Sequence, residues 1–172
     1  STLDNSSGYY YHYNLYLASA YQSLARKAED EETAREYYYR ALECCENVLS
    51  QISPEEDLAV YENMYVTEAD VYYSLGMETE TIATYEEAER ILGTSSASIY
   101  VNHLRLLYNK YKEKNPDVSS WNAPDIIKVY EEGSQVPGIA DNFEWKPLVT
   151  NLQPLFEKNS GTVDTTTEAP NG

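Results

Sequence analysis

The stretch that decides the fold is Tyr61–Leu92, which reads YENMYVTEADVYYSLGMETETIATYEEAERIL. In its first half, Tyr65, Ala69 and Tyr72 recur at spacings of four and three residues, which places them on one face of a helix. In the second half, Ile82, Tyr85, Ala88 and Ile91 recur every three residues, which also places them on one side of a helix. With Gly76 as the turn between them, the pattern predicts two antiparallel helices that pack large residues against small ones.

This hairpin resembles a tetratricopeptide repeat, a helix–turn–helix unit of about 34 residues. On the pattern of that family, Tyr65 and Tyr72 take the aromatic positions of the first helix, and Ala69 takes the small position between them. Two residues depart from the family pattern, because Glu68 stands where leucine is usual and Thr81 stands where alanine is usual.

Two further stretches carry echoes of the same pattern. Ala34, Tyr38 and Ala41 repeat the signature of the second helix, and Ile126, Tyr130 and Gly133 repeat it in weaker form. The resemblance therefore implies an all-α fold, in which antiparallel helix hairpins stack as a right-handed superhelix of about three repeats. The expected boundaries are a linker over 1–8, a helical domain over 9–158 with repeats over 9–52, 54–93 and 96–138, a C-terminal capping helix over 142–157, and a disordered tail over 159–172.

Local signals predict where several helices begin and end. Ser53 followed by Pro54 and Glu56 is typical of a capped helix start. Gly93 is expected to end the second helix of the central hairpin, and Pro154 is expected to kink or end the capping helix. Trp121 is expected in an exposed loop.

Composition narrows the classes of partner. The chain of 172 residues has 12 basic and 29 acidic residues, a formal charge of −17, and 18 tyrosines. This negative charge repels phosphate backbones and anionic lipid, which argues against nucleic-acid binding. A basic protein partner remains compatible with the charge. No apolar run approaches the ~20 residues that span a membrane, so membrane insertion of this stretch is not expected.

The sequence contains no recognisable catalytic or metal-binding motif. Cys44 and Cys45 are adjacent and are predicted to be free thiols, at least one of them buried, since neighbouring helical side chains diverge. His12 and His103 lie too far apart in the chain to indicate a metal site. We therefore expect a protein that is not an enzyme and that needs no cofactor.

The resemblance also implies where a partner would bind. Tetratricopeptide stacks hold an extended peptide or partner segment in a concave groove lined by the first helix of each repeat. The positions of this sequence that match the groove are His12, Leu15, Ser19 and Gln22 in the first repeat, Asn63, Val66, Asp70 and Tyr73 in the second, and Val101, Arg105 and Tyr108 in the third.

Two functions remain open at this point. The first is a non-catalytic interaction or scaffold module, because residues 129–148 resemble segments that follow the kinase domain in some bacterial membrane-anchored serine/threonine kinases. That resemblance implies a larger protein whose extracytoplasmic part would include this chain. The second is a carbohydrate-binding surface protein, suggested by the tyrosine content and by Trp121. The sequence identifies neither the ligand nor the oligomeric state.

Overall fold

The computed structural model describes residues 8–160, which form seven α-helices, three one-turn 3₁₀ helices and no β-strand. The α-helices are α1 (Gly8–Ala25), α2 (Glu31–Leu49), α3 (Leu58–Ser74), α4 (Glu78–Leu92), α5 (Ala97–Lys114), α6 (Pro124–Gly133) and α7 (Trp145–Ser160). The predicted all-α class is confirmed. The described residues divide into two compact units, one ending at Ile99 and the other beginning at Tyr100. The predicted domain over 9–158 therefore spans both units.

The first unit is built from two helix hairpins. Asp30 caps α2, since its Oδ1 accepts a hydrogen bond of 2.7 Å from the Thr33 N–H. Gly76 joins α3 to α4 with φ of 73°, a left-handed conformation that glycine adopts without strain. The turn predicted at Gly76 is confirmed, and Gly93, with φ of 50°, ends α4 as expected.

Helices α1 and α3 lie side by side and run parallel. The His12 Nε2 atom is 3.2 Å from Asp57 Oδ2, and the Gln22 amide donates a hydrogen bond of 3.3 Å to the Thr67 carbonyl. Both contacts join residues that are 45 positions apart. Two contacts that are ten residues apart on each helix, with the same separation, require parallel helices in a fixed register.

Small residues form the centre of this unit. Ala18, Ala41, Ala69 and Ala88 are each fully buried, and each comes from a different helix. Alanine at a helix contact lets the backbones approach, so that neighbouring large side chains such as Met64 and Tyr85 fill the remaining space. Ala69 therefore has the close-packing role that its position in the pattern predicts.

The start of α3 differs from the prediction. Ser53 does not cap the helix, because residues 54–56 form a turn and the helix begins at Leu58 with Asp57 as its cap. Asp57 Oδ1 accepts a hydrogen bond of 3.0 Å from the Val60 N–H. The reciprocal bond expected of Glu56 does form, from the Ser53 N–H at 2.9 Å, but it closes the turn and does not begin the helix.

The second unit has an aromatic core. The Tyr130 ring stacks on Trp145 and on Phe156, with ring centroids 6.0 and 4.2 Å away. Gly133 is the small residue of the pattern Ile126, Tyr130 and Gly133, and its backbone lies too close to neighbouring side chains to leave room for a Cβ. A Cβ built at Gly133 would lie 2.7 Å from the Trp145 ring and 3.1 Å from the Tyr100 Cβ. The close approach explains glycine at a position where the pattern expects alanine.

The expected ends of the chain elements need four corrections. The linker expected over 1–8 is too long, because Gly8 already belongs to α1. The capping helix runs over 145–160 and not over 142–157, so that Phe143 precedes it and is 80% exposed. Pro154 does not end α7, which continues to Ser160 with Leu152 and Leu155 fully buried on either side of the proline. The tail expected from residue 159 therefore begins inside a helix, and residues 1–7 and 161–172 lie outside the described residues.

We expect Asp57→Ala to lower the free energy of unfolding by about 1 kcal/mol, because the first turn of α3 loses its cap. Asp57→Asn retains a capping oxygen and should cost less, while Ser53→Ala should change little. Urea denaturation of the three variants followed by circular dichroism measures the difference. An effect of Ser53→Ala equal to that of Asp57→Ala would contradict the assignment of the cap.

Gly133→Ala should destabilise the protein by about 1–3 kcal/mol, because the added methyl group overpacks the space beside Trp145 and Tyr100. In an unconstrained helix the same substitution would stabilise by about 0.5–1 kcal/mol. The neighbouring exposed residue supplies the control, Glu132→Ala. Guanidinium denaturation followed by tryptophan fluorescence measures both variants, and a stabilising Gly133→Ala would show that the contact is not tight.

Candidate partner-binding site

Seven of the eight predicted groove residues of the first two repeats are exposed or half-buried, and they come from the adjacent helices α1 and α3. We define the α1–α3 face by His12, Leu15, Ser19, Asn63, Val66, Asp70 and Tyr73. Because α1 and α3 are adjacent and parallel, the residues from the two helices form a continuous surface. His12, Ser19, Asn63 and Tyr73 are exposed, and the other three are half-buried.

On the α1 side of this face, the polar side chains already make contacts within the first unit. Ser19 is exposed, and its hydroxyl donates to the Leu15 carbonyl one turn earlier. His12 is exposed and lies against Asp57 at the start of α3. Gln22 is 8% exposed and donates to the Thr67 carbonyl, so this predicted groove residue joins the two helices and does not face solvent.

The α3 side is more open. Tyr73 is 42% exposed near the end of the helix. Asn63 is exposed, and its amide donates to the Ala59 carbonyl. Val66 and Asp70 lie between them as half-buried residues. This half combines an aromatic ring, an amide and a carboxylate within three turns of helix.

The remaining predicted groove residues belong to the second unit and make contacts within it. Arg105 lies 3.1 Å from Glu144 and donates to Asn102. Tyr108 is buried, and its ring packs against Trp121. Their side chains therefore hold the second unit together.

Trp121 does not lie in an exposed loop, contrary to the prediction. It is 4% exposed, and its indole N–H donates a hydrogen bond of 2.8 Å to the Asn115 carbonyl. The Tyr108 and Tyr111 rings lie 5.7 and 5.5 Å from it. The loop folds back because tryptophan buries a large apolar ring and satisfies its single donor at the same time. The ring is therefore not available as a platform for a sugar.

Helix α1 carries a row of exposed tyrosines beside the α1–α3 face. Tyr9, Tyr13 and Tyr16, spaced by four and three residues, are 82%, 53% and 72% exposed. These side chains follow one another along one side of the helix. Exposed tyrosines in a row are unusual for a surface that contacts only water, and tyrosine is enriched where proteins bind each other.

A separate pocket of about 470 Å³ lies among α2, α3 and α4. We call it the α2–α4 pocket; its lining residues are Glu46, Leu49 and Ser50 of α2, Tyr65, Glu68 and Tyr72 of α3, and Glu80, Ala83, Thr84 and Glu87 of α4. The sequence contained one signal for it, which was Glu68 in a position where the repeat family has leucine. A leucine there would be expected to pack between the helices, whereas Glu68 is half-buried and lines the pocket.

Glu68 has the most perturbed carboxylate of this pocket. Burial, with the nearby charge of Glu46 as the second cause, raises the pKa of Glu68 from 4.5 to about 7. Burial also raises the pKa of Tyr72, and the charges of Glu68 and Glu46 add to this effect.

Thr81 is the other residue that departs from the pattern of the resembled family. Its buried hydroxyl has a hydrogen-bond partner within the helix, because it donates to the Met77 carbonyl at 2.8 Å.

The two cysteines have the environment of core residues. Cys44 and Cys45 are both free and buried, which agrees with the prediction of free thiols of which at least one is buried. Burial raises the pKa of both thiols, and the charge of Glu43 adds to the effect at Cys44 and that of Glu68 at Cys45. This setting is opposite to that of nucleophilic cysteines, whose pKa is lowered.

Within residues 8–160, no group of three or more histidine, cysteine or acidic side chains could hold a metal ion. No helix in the same range is long and apolar enough to cross a membrane.

Comparison with protein-family models, with curated proteins and with solved structures finds no match to this chain. The geometry of the two surfaces is therefore the basis of the functional argument.

We expect Glu68→Gln to raise the free energy of unfolding at pH 8 by about 1–2 kcal/mol, because the folded protein no longer holds a desolvated charge. The pKa of Glu68 is higher in the folded state than its ordinary value of 4.5. The wild-type protein therefore loses stability as the pH rises from about 4.5 to above 7.

The comparison uses urea denaturation at pH 5 and pH 8. The gain from Glu68→Gln should be present at pH 8 and small at pH 5. Glu43→Gln, which removes the charge of an exposed carboxylate on α2, is the control for net charge. Equal gains in the free energy of unfolding from the two variants at pH 8 would show that the gain comes from the change in net charge and not from burial of the Glu68 carboxylate.

Proposed function

We propose that this protein is a non-catalytic interaction module that binds a segment of a partner protein on the α1–α3 face. The observation that carries the proposal is the parallel packing of α1 and α3, fixed by the His12–Asp57 and Gln22–Thr67 contacts. This packing joins side chains from two helices into a single surface. A partner segment along that surface would contact both helices at once.

The chemistry of the face favours a protein partner. Tyr73 offers an exposed ring with few rotatable bonds, and Val66 and Leu15 add half-buried apolar area. Asn63 and Asp70 supply polar groups that fix the orientation of a bound chain. The exposed tyrosines of α1 extend the apolar area beside the face. Apolar anchors among polar groups are typical of protein interfaces.

The charge of the chain favours a basic partner segment. A formal charge of −17 attracts cationic chains and speeds their association, especially at low salt. A sugar ligand has less support, because Trp121, which suggested a carbohydrate platform, is buried. A scaffold role within a larger kinase-containing protein stays a prediction, and a kinase domain in the same open reading frame would support it.

The proposal is tested by selecting binders from a random 12-residue peptide display library on the immobilised protein. We expect the selected peptides to be rich in basic and apolar residues. The double variant Asp70→Ala/Tyr73→Ala should weaken their binding at least tenfold, because it removes the carboxylate and the ring of the α3 side. Fluorescence anisotropy of labelled peptides measures the affinity, and circular dichroism verifies that the helix content is unchanged.

A matched control also removes one tyrosine and one carboxylate, here from α2, in Tyr39→Ala/Glu43→Ala. Both of these residues are exposed and lie outside the α1–α3 face. The selected peptides should bind this control as tightly as they bind the wild type. Peptides that bind the α3 double variant with unchanged affinity would contradict the assignment of the face.

A further inference from the structure

We propose that the α2–α4 pocket is a docking site for a lysine side chain of a partner protein. The aliphatic stem would lie against the tyrosine rings, and the ammonium group would pair with Glu68. This site shares no residue with the α1–α3 face, so the proposal does not depend on that surface.

The walls of the pocket fit the stem of a lysine side chain. Tyr65 and Tyr72 supply aromatic surface from α3, while Leu49 and Ala83 supply aliphatic surface from the flanking helices. The pocket has a volume of about 470 Å³ and is open to solvent, so that a side chain can enter it from the surface. A four-carbon stem that ends in a charge can bury its methylene groups against such walls. An ammonium group near a tyrosine face also gains from the cation–π attraction.

Three of the four glutamates that line the pocket have no cationic partner among residues 8–160. Glu46, Glu68 and Glu80 reach the pocket from three different helices, and none of the described lysine or arginine residues lies within ion-pair distance of any of them. The fourth glutamate of the lining is already paired, because Arg90 Nη2 lies 2.6 Å from Glu87 Oε1. A buried carboxylate without a counter-ion is costly, and an incoming cation removes that cost.

The geometry favours lysine over a metal ion or an arginine. The glutamates do not converge as a group of three or more metal ligands among residues 8–160, so the complementary cation is organic. Arginine is best satisfied by a planar, bidentate carboxylate, whereas the compact ammonium of lysine can accept carboxylates from several directions. Carboxylates distributed over α2, α3 and α4 match the second pattern.

Docking should depend on pH through Glu68. The groups that face it are Glu46 and Cys45 from α2, Tyr65 and Tyr72 from its own helix, and Glu80 and Glu87 from α4, the last paired with Arg90. The pKa of Glu68 is about 7 without a ligand, owing to burial and to Glu46. Lysine should therefore bind more tightly at pH 8.5, where Glu68 is ionised, than at pH 5.5.

The experiment is a ¹⁵N–¹H NMR titration of the full chain with the peptide acetyl-Gly-Gly-Lys-Gly-Gly-amide. We expect amide shifts centred on the lining residues of the pocket and an affinity at least fivefold higher at pH 8.5 than at pH 5.5. The same peptide with norleucine, which has the stem without the ammonium group, should bind at least fivefold more weakly. Glu68→Gln should weaken binding of the lysine peptide to the same degree, while Glu43→Gln should leave it unchanged.

Four results would overturn the proposal. Equal binding of the norleucine peptide would show an apolar site without charge recognition. Equal losses from Glu68→Gln and Glu43→Gln would show a general effect of net charge. Binding of free butylamine without binding of the lysine peptide would identify a site for small amines. Shifts confined to the α1–α3 face would assign the lysine to that surface, a result distinct from failure of the proposed function.

Discussion

Close contact between helix backbones is the constraint on which the first unit depends. Each of its four main helices contributes one fully buried alanine, and no larger side chain could occupy those points without separating the helices. Because α1 and α3 approach so closely, Gln22 can reach the Thr67 carbonyl and His12 can reach Asp57. The buried alanines thus set the relative position of α1 and α3, although they do not themselves belong to the α1–α3 face.

The same packing explains why Glu68 is informative. A helix position that faces two neighbouring helices normally carries an aliphatic side chain, and a carboxylate there has a raised pKa because water is largely excluded. Among residues 8–160, no lysine or arginine forms an ion pair with Glu68. Departures from the packing pattern of a fold are often found at functional sites, which is why the pocket around Glu68 is the basis of the lysine-docking proposal.

Much of the fold could be predicted from periodicity, and the misses have identifiable causes. The turn at Gly76 and the end of α4 at Gly93 follow from local conformational preferences, so they could be located in advance. The start of α3 could not, because Ser53 and Asp57 are both good caps and only the turn over 54–56 selects between them. Pro154 does not end α7 and Trp121 does not lie in an exposed loop, because burial of Leu152 and Leu155, and of the indole itself, outweighs the local signal. The α2–α4 pocket requires three helices to meet, and no one-dimensional pattern gives that information beyond the single unusual residue at 68.

The distribution of tryptophan and tyrosine allows the unfolding of the two units to be followed by different spectroscopic signals. Both tryptophans of the sequence, Trp121 and Trp145, are buried in the second unit, whereas the first unit contains tyrosine as its only strong fluorophore. Emission excited at the red edge of the absorption band therefore follows the second unit alone, while the far-ultraviolet helix signal follows both. Coincident transitions of the two signals would reveal a single cooperative folding block, and separated transitions would give each unit its own stability without any engineered label.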